Sequence, residues 1–170
     1  MAAVRFLAVT GWRSGEALTL RWEHVDLARR TANLPDTKTG RSIRPLSHAA
    51  CDVLANMDRM TDLVFPPTRG GRTMTGFRKL WNRIMGLGVL PDDITPHTLR
   101  HSFASMAGDL GYSEPTIAAL IGHKGASMTS RYVHAADAVL LATADAVAAE
   151  TVVRMGAPQK PCEVVNPQGG

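Results

Sequence analysis

Two short runs, Thr31–Pro35 and Arg41–Leu46, flank the polar turn Asp36-Thr37-Lys38-Thr39-Gly40. They read as the two strands of a hairpin. The rest of the chain is read as helices and loops, so the pattern points to a mainly α fold with a small antiparallel β-sheet, an α+β arrangement. Ala2–Thr10 reads as the end of a helix stopped at Gly11, and Ser14 as the N-cap of a short helix with Glu16 in its first turn. Ser47 caps a helix expected to run to about Met60. Pro66, Pro67, Gly70 and Gly71 mark a loop. Phe77, Leu80, Trp81, Ile84 and Met85 then recur at helical spacing. Thr95 caps a helix opened by Pro96, where the missing N–H costs nothing, and that helix carries His97, Arg100 and His101. A further helix runs from about Ser113 to near Gly122, and a short one carries Tyr132. Ala135–Met155 is long, Ala-rich and apolar. Residues 156–170 are Pro/Gly-rich and are expected to form a disordered tail.

A length of 170 residues suits one domain with a real core, and 45% hydrophobic with 20% charged residues is ordinary for a soluble globular protein. No apolar run is long enough to cross a bilayer, and the first residues lack a signal pattern. Cys51 and Cys162 stand far apart without metal-type spacing, which favours a reduced, cytoplasmic setting with Cys51 as a small core residue. Residues 1–134 hold 17 Lys and Arg against 11 Asp and Glu, whereas residues 135–170 hold 2 against 4. A positive field of this kind favours a polyanion, although many soluble proteins with the same balance bind none.

The basic part also holds the residues with chemistry to offer. In chain order they are Arg13, Lys38, His97, Arg100 and His123, followed by Tyr132. The forked donors of Arg13 and Arg100 match phosphate oxygens; Arg13 could equally be a surface arginine paired with Glu16 at i+3. His97 and Arg100 share a helix face, and His97 lies in the first turn, where free N–H groups favour an anion. His97 and His101 are spaced like a zinc pair, but no third ligand stands at a convincing spacing, so no metal is assigned. His101 reads instead as a residue bonded inside the domain. His123 follows Gly122 at a helix end, where a capping role is the simpler reading. Lys38 at a hairpin tip reads as a solvated turn residue, and Arg41 and Arg44 as backbone contacts or surface charges. Tyr132 lies among Ser130, Arg131 and His134 after a polar stretch, a poor core environment.

These strings are Thr-Gly-Trp-Arg-Ser-Gly-Glu (10–16), Thr-Lys-Thr-Gly (37–40), His-Thr-Leu-Arg-His (97–101), Ile-Gly-His (121–123) and Ser-Arg-Tyr-Val-His (130–134). In order and spacing they resemble the catalytic domain of the tyrosine recombinases, the phage-integrase family. The resemblance implies a catalytic domain over residues 1–155. That domain would lack its usual N-terminal part and the separate DNA-clamping domain, so the chain is expected to be a truncated form. The resemblance also implies that Tyr132 is the nucleophile, forming a 3′-phosphotyrosyl ester. Arg13 and Arg100 would clamp the phosphate, His123 would donate a hydrogen bond to it, and His97 would belong to the same catalytic set. Lys38 would protonate the leaving 5′ oxygen, and Glu16 would orient the site. No cofactor is implied. Double-stranded DNA is the implied partner, with self-assembly into a tetramer on paired sites when full length and no membrane role. An integrase of a mobile element is the expected setting. Two alternatives share the residues: a type IB topoisomerase-like relaxation activity, and a truncated remnant that binds DNA without cutting it. The apolar positions Val139, Leu140, Leu141, Val147, Val152, Val153 and Met155 need a surface to cover them. The resemblance implies a neighbouring subunit, and the simpler reading is the chain's own domain.

Overall fold

The structure, a computed structural model, describes residues 1–35, 41–67, 76–88, 91, 93–123 and 133–156, with the side chains of 133–137 excepted. Lys38, Tyr132 and residues 157–170 lie outside the described residues.

Helix α1 (Ala2–Thr10) is the central element, with Phe6, Leu7, Ala8 and Val9 all buried. It packs against α3 (His48–Ala55), α5 (Pro96–Asp109) and α7 (Val133–Gly156). It stops at Gly11 as the sequence indicates. Gly11 takes a left-handed φ of 63°, and its N–H donates to the Leu7 carbonyl at 3.0 Å. A β-carbon on Gly11 would stand 2.6 Å from Phe103 Cδ1, so the turn is open only to glycine.

Helix α2 (Ser14–Leu18) follows, then a 3₁₀ turn at Trp22–His24 and three strands, β1 (Val25–Asp26), β2 (Thr31–Leu34) and β3 (Ser42–Pro45). The strands pair antiparallel in the order β1-β2-β3, in a register that sets Val25 against Ala32 and Ala32 against Arg44. The expected hairpin is β2–β3; β1 is an addition too short to show periodicity. Strand β2 buries Ala32 and Leu34 and leaves Thr31 and Asn33 half-buried, as period-two alternation requires. Strand β3 keeps the alternation but reverses the expected polarity: Ile43 is 64% exposed and Arg44 is 0% exposed.

Ser47 caps α3 as expected, its Oγ accepting from the Ala50 N–H at 3.1 Å. The helix ends at Ala55 rather than Met60, because the Asn56 side chain bonds back to the Asp52 carbonyl at 2.7 Å. Helix α4 (Phe77–Met85) buries Phe77 and Trp81. Helix α6 (Glu114–Ile121) ends on Gly122 in a left-handed conformation. There the His123 N–H donates to the Ala118 carbonyl at 2.8 Å and the Gly122 N–H to Ala119 at 3.2 Å, the paired bonds of a Schellman cap.

Helix α7 starts two residues before the expected Ala135 and packs on its own chain, against α1, α3, α5, α6 and β3. Its own Thr143, Ala144, Val147 and Ala148 form the buried face. Asp145 adds a polar tie: both carboxylate oxygens accept from Arg30 Nη1 at 2.8 Å, and Oδ1 also accepts from the His48 N–H at 2.8 Å. The apolar positions singled out in the sequence therefore divide. Val147 is buried, Leu140 and Leu141 are half-buried, and Val139, Val152, Val153 and Met155 remain exposed.

Candidate active site

The site forms where the chain turns from α1 into α2, where α5 begins, and where α6 ends. Arg13, rather than Ser14, is the N-cap residue of α2. The capping acceptor comes from inside the helix: Glu16 Oε2 accepts from the Arg13 N–H at 3.0 Å. Glu16 Oε1 accepts from Arg13 Nη1 at 2.9 Å, so one carboxylate closes the helix turn and fixes the guanidinium. Arg13 Nη1 also lies 3.5 Å from the Gly122 carbonyl, which places it beside the end of α6.

Arg100 sits on the second turn of α5 and is 2% exposed. Its Nη1 donates to the Gly11 carbonyl at 2.8 Å. Its Nη2 is buried and has no partner among the described residues. An unsatisfied donor on a buried cation is costly, and a bound anion would satisfy it. Burial and the nearby Arg13 charge lower the Arg100 pKa to about 10.

His97 is exposed on the first turn of α5. The helix opens as the sequence indicates, with Thr98 Oγ1 accepting from the Thr95 N–H at 3.0 Å. The His97 pKa is lowered, chiefly by desolvation and then by His101, Arg100 and Arg13. His123 is exposed just past the α6 cap, and its pKa is also lowered, by desolvation first and then by Arg100, Arg13, Arg44 and His97. Both imidazoles therefore favour the neutral form, each able to donate one hydrogen bond and accept another. Among the described residues His101 makes no side-chain hydrogen bond of the kind expected. It is exposed and meets the His97 ring edge-on, with centroids 4.7 Å apart.

Arg13, Glu16, His97, Arg100 and His123 are thus brought together from three separate segments. Lys38 and Tyr132 are the expected site residues that lie outside the described residues. Arg44 overturns its expected place on the surface. It is fully buried, with Nη2 3.2 Å from Glu16 Oε1, Nε donating to Ser42 Oγ at 2.8 Å, and its guanidinium 6.0 Å from the centre of the Trp12 ring. A β-carbon on Gly122 would fall within 1.9 Å of that guanidinium, so the end of α6 closes directly over it. In the sequence, the only signal for Arg44 was its parity with Ser42 on β3, and parity does not reveal which face is buried.

The arrangement offers forked cationic donors, neutral imidazoles and one orienting carboxylate. That set suits stabilising charge on a phosphate without a metal ion. Comparison with known proteins agrees. A sequence model of the phage integrase family matches residues 1–138. A shufflon-specific DNA recombinase of Escherichia coli is 39% identical over 128 residues, covering 74% of this chain and 32% of that protein. The tyrosine recombinase XerD of Vibrio vulnificus strain YJ016 is 28% identical over 149 residues, covering 79% of this chain and 48% of its own. The crystal structure of XerA recombinase shares the fold, with a TM-score of 0.61 at 24% identity, over 93% of this chain and 57% of that one. The chain thus spans a third to a half of the length of these curated relatives.

Proposed function

The chain belongs to the phage integrase family, and on that premise we propose that it is the catalytic part of a tyrosine recombinase. It acts on double-stranded DNA, breaking and rejoining strands at specific sites through a 3′-phosphotyrosyl intermediate. The observation that carries this reading is the Arg13–Glu16–Arg100 arrangement, with a buried Arg100 donor left open for an anion. The excess of Lys and Arg over Asp and Glu in residues 1–134 supports a polyanionic substrate. The relatives are named recombinases, which favours recombination over relaxation of supercoils.

In the reaction, the Tyr132 phenolic oxygen attacks the scissile phosphorus, and neutral His97 takes the phenolic proton. Arg13, Arg100 and His123 hold the non-bridging oxygens as charge builds on them. The phosphorus–O5′ bond breaks, and Lys38 delivers a proton to the departing 5′ oxygen. The phosphotyrosyl ester conserves the bond for rejoining to a new 5′-hydroxyl. Glu16 holds Arg13 and takes no part in proton transfer. On paired sites the protein assembles as a tetramer, and a mobile-element integrase is its setting.

A nicked suicide substrate tests the nucleophile. Incubation should give a protein–DNA adduct on a denaturing gel, and Tyr132→Phe should give none. An adduct that persists in Tyr132→Phe would overturn the assignment.

A further inference from the structure

Strand β3 exposes an isoleucine and buries an arginine, the reverse of what hydrophobic burial dictates. Pairing with Ala32, which is itself buried, fixes this parity, because a one-residue slip would exchange the two side chains. Packing does not explain the choice. Buried ion pairs are commonly replaced by apolar side chains at no cost in stability. Nor does Glu16 need a second cation, since Arg13 already meets both of its oxygens. Arg44 is moreover incompletely satisfied: its Nη1 is buried without a partner among the described residues.

Charge supplies the reason. Glu16 cancels one of the two cations that face the phosphate, Arg13 and Arg100. Attack of a phenolate on a phosphodiester monoanion produces a five-coordinate phosphorus carrying two negative charges. Before proton transfer, Arg13, Arg100 and Glu16 together carry a single net positive charge, and adding Arg44 brings the preformed cluster to two; His97 adds its charge only once it has taken the phenolic proton. We propose that Arg44 is a positioning residue whose buried charge offsets Glu16, so that Arg13 is held by the carboxylate yet presents its full charge to the scissile phosphate. This rests on the recombinase reading above. The contacts with Ser42, Trp12 and the Gly122 turn hold the guanidinium against Glu16.

The test separates charge from packing. On a nicked suicide substrate, Arg44→Gln should slow adduct formation roughly 10- to 100-fold, the lower range for loss of one stabilising group, while changing DNA affinity less than about 3-fold. Arg44→Lys should recover most of the rate. The double variant Glu16→Gln/Arg44→Gln removes one charge of each sign, restores the net balance, and should outpace Arg44→Gln alone. On a substrate with an uncharged methylphosphonate at the scissile position, the Arg44→Gln defect should shrink to within about 3-fold. A double variant slower than the single one, or an equal defect on both substrates, would overturn the proposal in favour of packing.

Inorganic phosphate provides a readout without cleavage, followed through the imidazole resonances of His97 and His123. Arg44→Gln should weaken phosphate binding roughly tenfold, a loss of one charge interaction at close range, and the double variant should regain it. Unchanged binding in Arg44→Gln would also refute the idea. If the unaltered chain forms no adduct, the recombinase reading fails, and the phosphate titration still decides the role of Arg44. Cooperative melting of each variant confirms that it is folded. If Arg44→Gln does not fold, the comparison of the double variant with the unaltered chain decides: matched phosphate binding supports charge balance, and lost binding overturns it.

Discussion

Replacing Gly11 by alanine tests the geometry that joins α1 to the site. Gly11 has a φ of 63°, and an added β-carbon would lie 2.6 Å from Phe103 Cδ1 and 2.9 Å from Cγ. Phe103 is itself 2% exposed, packed with Met106, Leu120 and Val147, so it has little room to retreat. The left-handed backbone costs an alanine about 1–2 kcal/mol. Overpacking a filled core adds about 1–3 kcal/mol. The sum, roughly 2–5 kcal/mol, should lower the melting temperature by about 5–20 °C in a chain of this size. Gly108 is the internal control. It is an exposed glycine within α5, and a β-carbon there meets nothing within 4 Å. Gly108→Ala should therefore stabilise by about 0.5–1 kcal/mol through helix propensity alone. Thermal unfolding followed by circular dichroism compares the two. A Gly11→Ala loss below about 1 kcal/mol would mean that Phe103 gives way freely, and the reasoning from close approach would fail.

Arg100→Lys should keep most DNA affinity but slow cleavage by roughly 100-fold or more, because lysine cannot donate to Gly11 and to a phosphate through one planar fork; parallel loss of binding and cleavage would refute this. His97 should titrate below its ordinary value in the free protein and rise when phosphate binds, as NMR of its ring protons would show. Its lowered folded-state pKa also means that it supports stability above the unfolded value and withdraws that support as pH falls through the folded one. The melting temperature should therefore drop less on acidification in His97→Gln than in the unaltered chain, and equal drops would count against the shift. Truncation after His134 should abolish cooperative melting, since it removes the buried Ala144, Val147 and Ala148 and the Asp145 ties to Arg30 and His48. That loss is large beside the about 5–15 kcal/mol of a typical domain. A truncated chain that still melts cooperatively would show that α7 is dispensable to the fold.

The local signals in the sequence were sufficient for what local physics controls. Gly11 and Gly122 announced helix ends because few other residues adopt a left-handed turn, and Ser47 and Thr95-Pro96 marked helix starts through capping and a dispensable N–H. Spacing also placed Glu16 with Arg13, and His97 with Arg100, because three residues bring side chains to one helix face. What the sequence left open were questions of which surface meets which. Parity showed that Ile43 and Arg44 face opposite ways, but only the approach of α2, Trp12 and the α6 turn made the arginine face the interior. Likewise, the apolar residues of Ala135–Met155 called for a covering surface, and the packing of α1, α3 and α5 against α7 supplied one within the chain for Val147 while leaving Val139, Val152, Val153 and Met155 exposed. Helix and turn choices are settled by a few neighbouring residues. Burial of the Arg44 charge depends on Glu16, 28 positions away, and on the Gly122 turn, and the docking of α7 depends on partners as distant as Arg30, 115 positions from Asp145; only the tertiary structure brings those together.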